Sequence, residues 1–256
     1  MTQSEAAFAV AISLLGRLPG ARLQVDPDLT WLASGRPLAS LNHVYDVALD
    51  GDPAAIDARI GAVQAAVSGG GALPVTWWIG PATTPADLGS RLRSVGLTEA
   101  EPEFGMVIGV DGLPPPAGDV EEVGAAGLDE WLDVMARSYG WSDPRAIAAW
   151  TELYGAAFGD AGPPWWHVVV RDGGMAVACA SLFPAGEGAF VTNVGTVPEA
   201  RGVGHGTTAT LAVMAIARRL GYRTASLTAS LMGRGVYARI GFREEARLER
   251  FVSAGR

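Results

Sequence analysis

The 256-residue chain has a single cysteine, Cys179, which excludes an internal disulfide and any thiolate metal cage and suits a reducing compartment. Flanked by Ala178 and Ala180, that thiol reads as core packing. Basic charge is scarce as well. Nineteen Lys and Arg stand against 27 Asp and Glu, a formal charge of −8, so the positive face that a nucleic-acid binder presents is missing. The apolar stretch Ala6 to Leu15 is too short to span a bilayer, follows Glu5 and lacks a basic leader. It reads as an amphipathic helix, and the chain as a cytoplasmic protein with neither membrane nor nucleic acid as partner.

Apolar residues make up 49% of the chain and eight are tryptophan, while Gly (34) and Pro (16) are spread through it. That is a globular composition with enough core for two domains. In the first half, extended segments near Leu29 to Ala33 and Asn42 to Leu49 precede a helix from Pro53 to Val67, with Ile56, Ile60, Val63 and Val67 on one stripe. A strand at Pro74 to Ile79, a helix at Ala86 to Val95 and a strand at Phe104 to Val110 follow. The run Leu113-Pro114-Pro115-Pro116-Ala117-Gly118 is a stiff connector, so the boundary is placed between residues 1–112 and 113–256.

The second half begins with a short strand at Val120 and helices over Leu128 to Tyr139 and Arg145 to Phe158, with Pro144 at the entry of the second. Strands at Trp165 to Arg171, Met175 to Phe183 and Phe190 to Val197 are joined by glycine-rich turns that predict hairpins. A helix from Thr207 carries Ala209, Val213, Ile216 and Leu220 on its apolar stripe. A strand at Thr224 to Thr228, a short helix at Val236 to Ile240 and a strand from Phe242 toward Val252 close the chain. From Asn42 and again from Phe190 the order is β-α-β-α-β, which points to an internal duplication.

The repeats differ at the junction where strand meets helix. In the second it is Arg201-Gly202-Val203-Gly204-His205-Gly206, three glycines that remove Cβ atoms and leave the first N–H groups of a helix open to an anion, with Arg201 adding fixed positive charge. In the first it is Asp50-Gly51-Asp52-Pro53, where two carboxylates repel an anion and Pro53 removes a donor. The anion is neither a mononucleotide held by a P-loop nor a dinucleotide. Gly206 is followed by Thr207 and Thr208 and not by Lys, and no acidic residue lies between Glu199 and Glu244 to take a ribose.

The stretch from Val197 to Gly206 resembles the acyl-coenzyme A pyrophosphate loop of the GNAT superfamily of N-acetyltransferases. Leu227-Thr228-Ala229-Ser230, Gly235-Val236-Tyr237 and Ile240-Gly241-Phe242 are similar to that family's second signature. The resemblance implies an α/β (α+β) fold of two GNAT-like mixed-sheet domains in tandem, the C-terminal one complete and the N-terminal one degenerate. It implies central strands that splay after a bulge and an acetyl-CoA whose pantetheine arm pairs with Asn193, Val194, Gly195, Thr196 and Val197. Its pyrophosphate would meet Gly202, Val203, Gly204, His205, Gly206 and Thr207, with Arg201 alongside. No metal is required. The Val197 amide would receive the oxyanion, Tyr237 would protonate the departing thiolate, and Ser230 would orient Tyr237, bind the cofactor or cap the next turn. Position x of the loop, here His205, faces solvent in the family.

The segment Gly188 to Pro198 has no carboxylate where many members carry a glutamate base. A water on Thr192 or Asn193, or one of Glu130, Asp133, Asp143 and Glu152, would have to deprotonate the amine. Trp131, Tyr139, Trp141, Trp150, Trp165 and Trp166 form either a core stripe or the wall of an acceptor pocket. The acceptor is a small-molecule or peptide amine, and the chain a monomer or a homodimer. A coenzyme-binding sensor without turnover and an aminoacyl transferase on the same fold are the alternatives.

Overall fold

The computed structural model describes residues 1–157 and 165–254. In chain order the elements are α1 (Gln3–Ser13), β1 (Arg22–Val25), β2 (Thr30–Ala33), β3 (Asn42–Tyr45), α2 (Pro53–Ser68), β4 (Thr76–Ile79), α3 (Leu88–Ser94) and β5 (Thr98–Gly109). They continue with β6 (Asp119–Val123), α4 (Leu128–Tyr139), α5 (Pro144–Ala157), β7 (Trp166–Asp172), β8 (Met175–Ala185), β9 (Gly188–Thr196), α6 (His205–Arg219), β10 (Thr224–Ala229), α7 (Leu231–Ile240) and β11 (Arg243–Val252). Phe158, the expected last residue of α5, lies outside the described residues. Two compact units form, and neither is one continuous stretch. The first holds Met1–Gly105, Ala229–Met232 and the chain from Glu244, and the second holds Met106–Thr228 and Gly233–Arg243.

In the first unit the strand order is β1-β2-β3-β4-β11. β1, β2 and β3 pair antiparallel, β3 and β4 parallel, and β4 and β11 antiparallel. Helix α2 forms where expected. Asp52 caps it by accepting from the Ala55 N–H at 2.8 Å, Pro53 opens it, and Gly69 ends it in the left-handed region at φ 60°. Its stripe Ile56, Ile60, Val63 and Val67 is buried in a core shared with Val44, Trp77, Leu88, Leu92 and Phe251. β5 begins at Thr98, not Phe104, because its first residues are largely exposed and carry no apolar pattern.

In the second unit the order is β10-β9-β8-β7-β6, antiparallel except for the parallel pair β9 and β10. The expected hairpins are present. Gly173 and Gly174, at φ 57° and 83°, turn β7 into β8. β8 is buried continuously from Ala176 to Phe183, the signature of a strand covered on both faces. Helices α4 and α6 both pack on it. On α6, Ala209, Val213 and Ile216 are buried as expected, but Leu220 is 40% exposed because it caps the helix C-terminus. Among the described residues no helix is long and apolar enough to cross a membrane.

Two buried histidines make stability depend on pH. His43, in the first unit, accepts from Trp78 Nε1 at 3.0 Å and contacts the Ser40 carbonyl at 2.9 Å. His167, in the second, contacts Ser181 Oγ at 2.7 Å. Burial lowers their pKa values to about 4 and about 3. Above pH 6.5 both folded and unfolded forms are neutral. As pH falls below 6.5 the unfolded chain takes up protons that the folded one refuses, so stability is lost toward pH 4 and pH 3. At pH 5 the expected loss is about 2 kcal/mol per histidine. Denaturant unfolding at pH 7 and pH 5 checks this, with His43→Gln flattening the slope for its own unit.

Candidate acyl-transfer site

The site of the second unit is built on an irregularity in β9. Against β8, Thr192 faces Ser181 and Gly195 faces Cys179, so Asn193 and Val194 share one partner position, a bulge. Asn193 takes up the bend at φ 53°, a left-handed conformation that Asn tolerates better than most residues. The parallel ladder to β10 pairs Ala189–Val191 with Ala225–Leu227 and ends there. The two central strands therefore part company just before the bulge, whereas the family resemblance implies a splay after it.

The Val197 N–H donates to the Val177 carbonyl at 2.9 Å, so the amide expected to meet the oxyanion is engaged in the sheet. By the alternation of an antiparallel ladder, Val194 and Thr196 are then the residues whose backbone groups turn away from β8. Two contacts agree with that orientation. The Val194 carbonyl accepts from Tyr139 Oη at 3.3 Å, and the Thr196 carbonyl accepts from Arg201 Nε at 3.1 Å. Gly195 serves packing: a Cβ there would stand 2.6 Å from Ser138 Cβ, so its absence lets α4 approach β9.

Beyond β9 the glycine loop behaves as a helix entry. Gly202 and Gly204 have φ 85° and 101°, and a Cβ on either would meet nothing within 4 Å. Their requirement is conformational, and the space above them is open. A Cβ on Gly206 would lie 3.2 Å from Thr196 Oγ1, so the third glycine permits close approach of helix to strand. The first N–H to reach back along α6 belongs to Thr208, bonded to the Gly204 carbonyl at 3.0 Å. The amides from Val203 to Thr207 precede the ladder and sit at the positive end of the helix dipole. Val203 is 71% exposed.

Arg201 is tied to the end of α4 through Nη2 and the Ser138 carbonyl at 2.8 Å, as well as to Thr196. Its charge is thus held at the loop. His205 departs from expectation: its side chain is only 17% exposed, with Nε2 3.4 Å from Asp172 Oδ2, so it turns inward. Thr207 occupies the first turn of α6.

Tyr237 lies on α7 with its ring edge-on to Phe242, centroids 5.8 Å apart. Its carbonyl accepts from the Gly241 and Phe242 N–H groups, which end the helix at Gly241, φ 114°. Burial pushes its phenol well above the ordinary tyrosine range. Ser230 is exposed between β10 and α7.

The linear pattern passes over one contributor, Tyr154, and does not show which way Asn193 points. Asn193 directs its side chain inward, its Nδ2 donating to Tyr154 Oη and, at 3.3 Å, to Ser181 Oγ. Tyr139, Trp141, Trp150 and Tyr154 form a row of near-parallel rings, centroids 5.6, 5.5 and 5.7 Å apart. Both ends of the row touch the bulge, Tyr139 at Val194 and Tyr154 at Asn193. Tyr154 follows Trp150 by four positions on α5, the helical spacing that could have revealed it. Trp131 and Trp165 are core, 0% and 7% exposed. Of the carboxylates considered as bases, Glu130 is paired with Arg171, Asp133 with Arg137 and Asp143 with Arg145. The arginine bonds hold Glu130 and Asp143 below the usual carboxylate range, which weakens them as bases.

The matching region of the first unit is closed by its own chain. Thr84 bridges Ala48 in parallel, donating its N–H to the Val47 carbonyl and accepting from the Leu49 N–H, both at 3.1 Å. The helix entry is filled too, since Asp52 caps α2 and Asp50 accepts from the Gly51 N–H at 2.8 Å. Among the described residues no cluster could hold a metal ion.

Residues 128–242 match the acetyltransferase (GNAT) family model. No curated protein matches the chain in sequence. Among solved structures it is similar to a GCN5-related N-acetyltransferase from Kribbella flavida, with TM-score 0.72, 20% identity, and 98% of this chain and 96% of that one covered. A GCN5-related N-acetyltransferase from Sphaerobacter thermophilus gives TM-score 0.66 and 15% identity, covering 100% and 94%. A tandem GNAT protein from the clavulanic acid biosynthesis pathway gives TM-score 0.59 and 14% identity, covering 98% and 88%. At these identities the likeness is one of fold.

Proposed function

We propose, from the match of residues 128–242 to the acetyltransferase (GNAT) family model, that the chain moves an acetyl group from acetyl-CoA to a primary amine of a small-molecule or peptide acceptor, by direct attack in a ternary complex. The working site belongs to residues 113–256, and residues 1–112 are the degenerate partner. One observation carries the reading. β9 leaves β10 after Val191, just upstream of a glycine loop whose amides precede the helical ladder.

In this reading the amides from Val203 to Thr207 bind the diphosphate, with Arg201 adding charge. The pantetheine arm lies along β9 and pairs with Val194 and Thr196, whose N–H groups replace that of Val197 as donors near the thioester oxygen. The neutral amine attacks the carbonyl carbon, the C–S bond breaks, and Tyr237 supplies a proton to the departing sulfur. The amine loses its proton to a water held at Thr192, since Asn193 faces inward. The row from Tyr139 to Tyr154 forms one wall beside the bulge.

The test is release of coenzyme A thiol from acetyl-CoA across a panel of primary amines. Amine-dependent release is expected. Binding of acetyl-CoA without release for any amine would make the chain a sensor and overturn the reading.

A further inference from the structure

The first unit contains a cavity of about 290 Å³ that the transferase reading does not use. Its size is at the low end for small-ligand pockets, about 300 Å³. Its wall is mostly apolar and aromatic, formed by Phe8, Tyr45 and Trp78 with aliphatic neighbours, and two carboxylates, Glu5 and Asp46, interrupt it. Phe8 and Trp78 meet edge to face, centroids 4.6 Å apart.

Glu5 is the unusual member. A glutamate only 9% exposed normally has a cationic partner, yet no salt bridge to Glu5 is found among the described residues. Its Oε2 accepts from Thr2 N at 2.7 Å and Thr2 Oγ1 at 2.9 Å, closing the cap of α1. Its Oε1 points at Gly80, which also lines the cavity, and a Cβ there would stand 2.2 Å from that oxygen. Asp46 projects from the bend at φ 52° that ends β3. Burial first, and the Glu5 charge second, raise its pKa, while the Met1 α-ammonium lowers it. Glu5, buried, and Asp46, open to solvent, thus line one mostly apolar hollow and repel each other, a field that positive charge relieves.

We propose that this cavity binds a small ammonium compound with a short aromatic or aliphatic tail, the nitrogen meeting Glu5 and Asp46 and the tail lying against Phe8, Tyr45 and Trp78. The ligand is not acetyl-CoA. Thr84 and Asp52 fill the places in this unit where a pantetheine arm and a diphosphate would lie.

Phenethylammonium is the probe and phenethyl alcohol its neutral control, titrated by calorimetry into the full chain at pH 7. The amine is expected to bind saturably and the alcohol at least tenfold more weakly. Glu5→Gln keeps the capping geometry, since Gln serves at that position, and removes the charge. Asp46→Asn keeps the left-handed bend. Each should weaken the amine at least tenfold, with the acetyl-CoA melting shift unchanged. Should Glu5→Gln not fold, Asp46→Asn decides alone. Equal binding of alcohol and amine, no saturable binding, or a site that survives Asp46→Asn would overturn the proposal and leave the transferase reading standing.

Discussion

Gly204→Glu is expected to abolish the stabilisation that acetyl-CoA confers. A ligand at 100 times its dissociation constant adds about 2.7 kcal/mol, which for a chain of this length is a rise of roughly 5–10 °C in Tm. The substitution acts in two ways that can be separated. Gly204 sits at φ 101°, so any side chain there costs about 1–2 kcal/mol of backbone strain, and the variant melts lower before ligand is added. Space is not limiting, because nothing lies within 4 Å of the added Cβ. The glutamate then projects among the amides at the N-terminus of α6, where its charge meets that of the diphosphate. Gly204→Ala carries the strain without the charge and should retain a shift. A Glu variant with the wild-type shift would place the diphosphate elsewhere on the molecule.

What the sequence makes legible divides along physical lines. The loop is readable because its glycines answer local demands, a positive φ at Gly202 and Gly204 and close contact at Gly206, and such demands act on residue type directly. The stripe of α2 and the repeated β-α-β-α-β order are readable because burial imposes a period. The bulge is not, since a left-handed Asn193 looks like any polar strand residue until its cross-strand neighbours are known. Which way a backbone N–H points likewise depends on register, and the bond from the Val197 amide to Val177 follows from it. His205 turned inward because Asp172, 33 positions earlier, lies beside it. Closure of the first unit by Thr84 depends on pairing with Val47 to Leu49, about 35 residues away, for which no local pattern exists. Nor does periodicity say which neighbour a late strand takes, and β11 pairs with β4.

Tyr237→Phe is expected to lower kcat by about 10²–10³, within the range for a lost general acid, while the dissociation constant for acetyl-CoA stays the same. The phenylalanine keeps the edge contact with Phe242 and the backbone bonds that end α7, so the fold should survive. The energetics of the proton step decide whether a phenol can serve. At reference values, about 10 for the phenol and about 8.5 for a thiol, transfer to the thiolate is uphill by about 2 kcal/mol. Burial raises the Tyr237 pKa further, which would widen the gap if the sulfur stayed in water. Thiols in this part of the unit do not keep their aqueous pKa either. Cys179, fully buried in β8, is pushed up to about 12 by burial. On the proposed reading, a coenzyme sulfur drawn out of water would be raised in the same direction, which narrows the mismatch as the C–S bond breaks. Steady-state kinetics with saturating amine, beside the acetyl-CoA melting shift, separate the roles. A loss in kcat below threefold, or a loss traced to weaker coenzyme binding, would reduce Tyr237 to a packing residue.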